Sequence, residues 1–235
     1  MAEPKLIILD DAQSLYVHAA EEIAHFAGEA ICMHAEFMLC LSGGSTPAAT
    51  YSLLAERFRL SVDWKEVQFF WGDERCVPPD DPHSNFRMAR ENLFVPAAVP
   101  EKSIMRMRGE IDPQIAAQEY EDQLDAIATR RGGPIYQHDF ILLGLGDDGH
   151  TASLFPGTAA LDEMTRRVVA NFVPKLNAWR LTFTFPLVNH ARHILFLVGA
   201  SKSPELIERV LAGDPQFPAA RVNPIAGEVT WMIGE

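Results

Sequence analysis

Short apolar runs recur along this chain at 5–9, 36–41, 67–71, 140–143, 192–198 and 229–233, most of them stopping at a polar loop that opens a helix-like stretch. Each run is long enough for a buried strand and too short for a buried helix. After the first, Asp10 or Asp11 can cap a segment in which Leu15, Ala19, Ile23 and Phe26 return at helical spacing. Another helical pattern spans 113–130, with Ile115, Tyr120, Leu124 and Ile127 on one face, and the residues RGGP at 131–134 close it. Strands alternating with helices predict an α/β fold, a doubly wound, mainly parallel open sheet with helices on both faces, Rossmann-like. No internal repeat, low-complexity tract or long linker interrupts the alternation, so the expectation is a single α/β domain over 1–235. In such folds the loops at the carboxyl ends of the strands hold the ligand.

Three of those loops are rich in glycine or charge. The run at 36–41 enters Ser42-Gly43-Gly44-Ser45-Thr46-Pro47, where the glycines permit close backbone approach and Thr46-Pro47 reads as a helix cap and first turn. A helix start with free amides suits an anion. The very apolar stretch ending at Trp71 enters Gly72-Asp73-Glu74-Arg75, and at least one of those charges is expected to point back into a site. Prolines 78, 79 and 82 stiffen that loop, and Ser84 can cap the helix after it. The run at 140–143 breaks at Gly144 and Gly146 into a turn carrying Asp147, Asp148 and His150. A half-buried strand at 179–185 brings Arg180, Thr182 and Thr184 to one face, and Lys202 sits in the turn after 192–198, with Ser201 or Ser203 able to cap the last helix.

If these loops converge, two cations and a glycine-rich helix start make a phosphate pocket. His150, the only histidine in a glycine-bracketed loop, then meets the other end of the ligand. An imidazole titrating near 6.5 is matched to proton transfer at neutral pH, and Asp148 can orient it. An acyl-enzyme route lacks a nucleophile in a GxSxG elbow. GLGDDG, from Gly144, is too acidic in its second half for a dinucleotide's pyrophosphate. His150, His190 and His193 can be drawn as a zinc site, but HExxH is absent and no third ligand lies at a telling spacing, so no metal and no cofactor are expected. The remaining histidines, including His138, read as surface or loop residues, and Cys32, Cys40 and Cys76, without a CxxC pair, as buried thiols in a reducing compartment.

Charge and hydropathy narrow the partners. With 20 Lys and Arg against 32 Asp and Glu, a net charge of −12, the chain lacks the basic face that nucleic acid requires. No apolar run approaches the roughly 18 residues of a membrane span, and Asp10 and Asp11 fall where a signal peptide would still be apolar. The expectation is a cytoplasmic protein with a small-molecule partner, no nucleic acid and no membrane, as a monomer or weak homodimer.

SGGSTP, WGDERCVP followed by HSN, GLGDDGHTASLFPG, and RLTFTF followed by GASKSPEL resemble, in this order and spacing, the 6-phosphogluconolactonases. The likeness covers nearly the whole chain; DGHTASLFP is its specific part, whereas GGSTP is shared with sugar-phosphate isomerases and deaminases. It implies hydrolysis of 6-phospho-D-glucono-1,5-lactone to 6-phospho-D-gluconate in the oxidative pentose phosphate route, without metal or cofactor. It also implies that His150 is the base, that Gly43, Gly44, Ser45, Thr46, Arg180 and Lys202 contact the phosphate, and that Asp73 and Arg75 belong to a substrate-contacting loop. Asp148 then supports the imidazole, Arg75 or backbone amides stabilise the oxyanion, and Asp73 is the next candidate base. Two departures are Ala48, where relatives often carry a basic residue, and the ending WMIGE, where many carry an acidic, alanine-rich stretch. The nearest rival is a glucosamine-6-phosphate deaminase, in which the DGH turn runs into Asn-Glu-Pro; this chain has Ser153, Leu154, Phe155 and Pro156 instead. A non-catalytic sugar-phosphate sensor is a further alternative.

Overall fold

The computed structural model describes residues 4–133 and 136–234; Pro134, the end of the RGGP stop, lies outside them. β1 (Lys5–Leu9) passes Asp11, whose carboxylate accepts from the Ser14 amide, into α1 (Ala12–His34). α1 lays Leu15, Ala19, Ile23 and Ala27 on the sheet at intervals of about one turn. β2 (Phe37–Leu41), α2 (Ser45–Arg57), β3 (Val67–Trp71) and the short β4 (Asp73–Arg75) follow. Ser84 caps α3 (Asn85–Ala89), which runs through a π turn at Arg90–Phe94 into α4 (Val95–Ala97). α5 (Pro113–Arg130) starts on an Asp112 cap with proline in its first turn. The chain ends with β5 (Phe140–Gly144), β6 (Val168–Val173), β7 (Ala178–Phe183), α6 (Phe185–Val188), β8 (His193–Val198), α7 (Pro204–Leu211), capped by Ser203, and β9 (Glu228–Gly234).

Six strands pair in parallel in the order β1-β9-β8-β5-β2-β3. Side chains alternate across a strand, so in β5 Phe140 and Leu142 join α1 and Tyr51 of α2 in one core. Ile141 and Leu143 join Tyr120 and Leu124 of α5 in the other. Helices on both faces therefore follow from central strands, β2 and β5, that carry no polar residue. β2 and β5 are neighbours, but the chain leaves β2 for β3 and β5 for β8, in opposite directions across the sheet. The loops after Leu41 and Gly144 part at that switch point and leave a crevice between them.

Several expectations are corrected. The half-buried strand expected at 179–185 does not join the parallel sheet; as β7 it forms an antiparallel hairpin with β6 and pairs with β4 in a second sheet, β4-β7-β6. Gly72 is the branch point, its amide donating to the Leu41 carbonyl of the main sheet while its carbonyl accepts from Phe183. α2 begins at Ser45, with Gly44 (φ 114°) at the cap position, because glycine adopts a backbone that would strain Thr46, and Pro47 is tolerated inside the first turn. Cys40 is buried, but Cys32 is exposed and Cys76 only half-buried. His138 is wholly buried, in a nest of Phe70, Tyr136 and Phe183 rings. His193 opens β8 at the edge of the sheet opposite the turn that carries His150. Among the described residues no group of three or more His, Cys, Asp or Glu is placed to hold a metal ion, and no helix is long and apolar enough to cross a membrane.

Candidate active site

The crevice at the switch point is a cavity of about 410 Å³. Into it come Ser42 and Gly43 from the loop after β2, Asp73 and Arg75 from β4, Gly144 to Asp148 and His150 after β5, Arg180 from β7 and Lys202 after β8. The convergence expected of these separate loops is what the fold produces. Gly44, Ser45 and Thr46 do not line the cavity; they form the cap and first turn of α2 beside it. No side chain caps that helix start, and its first amides are free for an anion. The loop is pinned from behind by Tyr51, whose hydroxyl accepts from the Ser42 amide (2.9 Å) and donates to the Ser42 carbonyl (3.0 Å). Gly43 cannot carry a Cβ, which would fall 1.9 Å from Asn85 Oδ1.

The turn after β5 is drawn tight by Gly146 N–H donating to the His150 carbonyl and Gly149 N–H to the Gly146 carbonyl. The His150 ring lies directly over Gly146, where a Cβ would come within 2.0 Å of Nδ1 and Cε1. Its other face stacks on Phe155 at 3.9 Å and 22°. Nδ1 is 2.5 Å from Asp148 Oδ1. Because an ionised carboxylate only accepts, that contact places the proton on Nδ1 and leaves Nε2 as the basic nitrogen. Asp148 Oδ2 in turn accepts from Lys175 Nζ at 2.8 Å. Burial pushes the Asp148 carboxyl up, but the hydrogen bonds from Lys175 and His150 outweigh it and hold the group at about 2. Asp147, the more exposed neighbour, accepts from Lys202 Nζ at 2.6 Å, which lowers its carboxyl too.

In β4 the two-residue period sends Asp73 and Arg75 into the cavity and Glu74 away from it. Glu74 is buried where the amides of Arg75, Asn85 and Phe86 and the Ser84 hydroxyl all donate to it. Burial raises its carboxyl and those amides oppose the rise. Asp73 is also buried, and its Oδ2 accepts from Ser153 Oγ at 2.7 Å. Arg75 is the direct partner of Arg180 across the β4–β7 ladder. Like charges facing each other across a sheet repel, and burial together with Arg75 lowers the Arg180 guanidinium from its ordinary value. Each donates to backbone, Arg75 Nη1 to the His83 carbonyl and Arg180 Nη1 to that of Trp179. Among the described residues neither has a carboxylate within ion-pair distance. Two opposed guanidiniums on the wall of an open cavity can hold an anion.

Sequence reasoning missed Lys175, Asn85, Ser153 and Phe155 as parts of this site. Asn85 Nδ2 donates to the Asp73 carbonyl at 2.9 Å, tying α3 to β4. Ser153 and Phe155 lie inside the DGHTASLFP stretch, so their position was visible but not their work. Lys175, in the β6–β7 turn, carried no signal, since a lone lysine in a polar turn is ordinary.

The chain matches the family model described as glucosamine-6-phosphate isomerases/6-phosphogluconolactonase over residues 10–231. It is 38% identical to a 6-phosphogluconolactonase of Synechocystis sp. over 99% of this chain and 96% of that protein. The solved structure of 6-phosphogluconolactonase from Trypanosoma cruzi superimposes with a TM-score of 0.84 at 31% identity, covering 100% of this chain and 96% of that one. A monomeric glucosamine-6-phosphate deaminase, 21% identical with a TM-score of 0.83 over 98% and 97% of the two chains, shares the fold.

Proposed function

Since this chain belongs to the glucosamine-6-phosphate isomerase/6-phosphogluconolactonase family, we propose that it hydrolyses 6-phospho-D-glucono-1,5-lactone to 6-phospho-D-gluconate, the lactonase step of the oxidative pentose phosphate route. The observation that carries the mechanism is the His150 ring, fixed by Asp148 on Nδ1 and by Phe155 and Gly146 on its faces, in a cavity shared with Arg75 and Arg180. The phosphate is held by Arg180, Lys202 and the amides at the start of α2, with Lys202 exchanging Asp147 for the substrate. His150 Nε2 takes a proton from water as the water oxygen bonds to the lactone carbonyl carbon. The oxyanion forms near Arg75. On collapse the bond from that carbon to the ring oxygen breaks, and the imidazolium returns its proton to the ring oxygen. Asp73, buried and bound to Ser153, helps to place the water.

The deaminase alternative needs a carboxylate in the segment after the histidine; in this chain Phe155 occupies that segment and stacks on the imidazole. The acidic balance of −12 favours a small anionic ligand held by local cations over any nucleic acid. We place the reaction in the cytoplasm, carried out by a monomer or weak homodimer. The test is turnover of freshly prepared lactone above its spontaneous opening, with glucosamine 6-phosphate as the comparison substrate. Ammonia release from the latter, with no acceleration of lactone opening, refutes the assignment.

A further inference from the structure

Lys175 lies outside the turn after β5 that carries His150. It sits in the turn Pro174–Leu176 between β6 and β7, at the tip of a hairpin that belongs to the second sheet. Pro174 and Asn177 (φ 45°) shape that tip, and Leu176 beside it also lines the cavity. The lysine is two-thirds exposed, so its ion pair with Asp148 adds little to the stability of the fold. What it does touch is the oxygen of Asp148 that His150 does not use.

We infer that Lys175 is a positioning residue: by holding Asp148 Oδ2 it fixes the carboxylate that orients the His150 ring, and it weakens that carboxylate's pull on a protonated imidazole. The inference rests on the lactonase reading with His150 as base. Its physical content is a chain of three groups, ammonium, carboxylate and imidazole, linked at 2.8 and 2.5 Å. A carboxylate shared between two donors attracts each less than one bound to a single donor, and a cation on its far side also repels a positive ring. Both effects act in one direction: they oppose protonation of His150 and keep more of it in the basic form at a given pH. The lowered carboxyl of Asp148 and the raised ammonium of Lys175 are the same bond seen from its two ends. The other charged groups facing the ring's cavity are Asp73 and Arg75 from β4, Arg180 from β7, Lys202 after β8, and Asp147 in the turn itself. Of these Asp147 is already taken by Lys202.

The test uses the full chain with Lys175→Met and Lys175→Arg, reading two quantities. The first is the titration of the His150 ring by NMR, assigned with His150→Gln. The second is the pH profile of kcat/KM for the lactone. In Lys175→Met the ring titration and the acidic limb both move to higher pH, by roughly half a unit for a partly screened charge at this range. KM stays within about twofold, and Lys175→Arg restores the wild-type titration. A His150 titration that coincides in wild type and Lys175→Met overturns the inference and leaves the ion pair a surface contact. A titration that shifts in a protein showing no lactone turnover supports the electrostatic role of Lys175 and removes the reaction assigned to the site, so the two failures are told apart.

Discussion

Gly146→Ala is a one-methyl perturbation aimed at the imidazole. The φ of Gly146 lies outside the left-handed region, so alanine costs little in backbone strain there. The three atoms nearest the added methyl all belong to the His150 ring, Nδ1 and Cε1 at 2.0 Å and Cγ at 2.7 Å. An ordinary carbon contact is about 3.5 Å, so the ring must withdraw by about 1.5 Å. Phe155 stacked at 3.9 Å blocks a retreat along the ring normal, and the withdrawal therefore breaks the 2.5 Å bond to Asp148. A displacement of about 1 Å in a reacting group costs on the order of 10²-fold, so kcat should fall by about that factor. The phosphate contacts proposed for Arg180, Lys202 and the start of α2 lie elsewhere in the site, and KM should change by less than about threefold. Steady-state kinetics on fresh lactone, with thermal unfolding as a control on the fold, measure both. A Gly146→Ala enzyme within threefold of wild-type kcat refutes the claim that the position of this ring sets the rate.

Lys202→Met should raise KM with kcat nearly unchanged, because a charged contact to phosphate is made in ground and transition states alike; initial rates over a range of lactone concentrations give the split, and a fall in kcat alone places Lys202 at the reacting carbon. Dialysis against a strong chelator should leave the rate unchanged, and a loss restored by zinc ends the metal-free account. Burial lowers His138 from its ordinary 6.5 to about 3, so the unfolded chain takes up a proton that the folded one refuses. Stability should therefore fall as pH drops from 6.5 towards 3, at about 1.4 kcal/mol per unit and about 2 kcal/mol by pH 5. Urea melts should show this loss and His138→Phe should flatten it between pH 5 and 6.5; an equal slope in both proteins removes His138 as the cause.

The parallel sheet was legible because its central strands, β2 and β5, are apolar on both faces, and a short run such as that ending at Leu143 suits a buried strand. The second sheet was not, because periodicity says that 179–185 is a strand but not that Asp73, Glu74 and Arg75 are its partner; that pairing depends on the chain leaving the main sheet at Gly72. For the same reason the facing of Arg75 and Arg180 could not be read from residues a hundred positions apart. His138 was misplaced because it follows Gln137 and precedes Asp139, a polar context, whereas the rings of Phe70 and Phe183 reach it from two other segments and join Tyr136, two residues before it. The histidine turn itself was legible because Gly144, Gly146, Asp148 and His150 are local in sequence, and local geometry is what sequence spacing encodes. Of the two adjacent aspartates, the contacts give Asp148 to His150 and Asp147 to Lys202.

The most direct test of His150 as general base is the pH profile of kcat/KM in wild type and His150→Gln, run beside the affinity of each for 6-phosphogluconate. Glutamine keeps a hydrogen-bonding side chain but cannot accept the proton. The account predicts a wild-type profile that rises with pH as the imidazole loses its proton, and a mutant slower by about 10²- to 10⁴-fold, measured above spontaneous opening, that lacks this limb. Product affinity should stay within about threefold. A mutant that turns over at the wild-type rate, with the limb intact, contradicts the account and passes the role of base to Asp73.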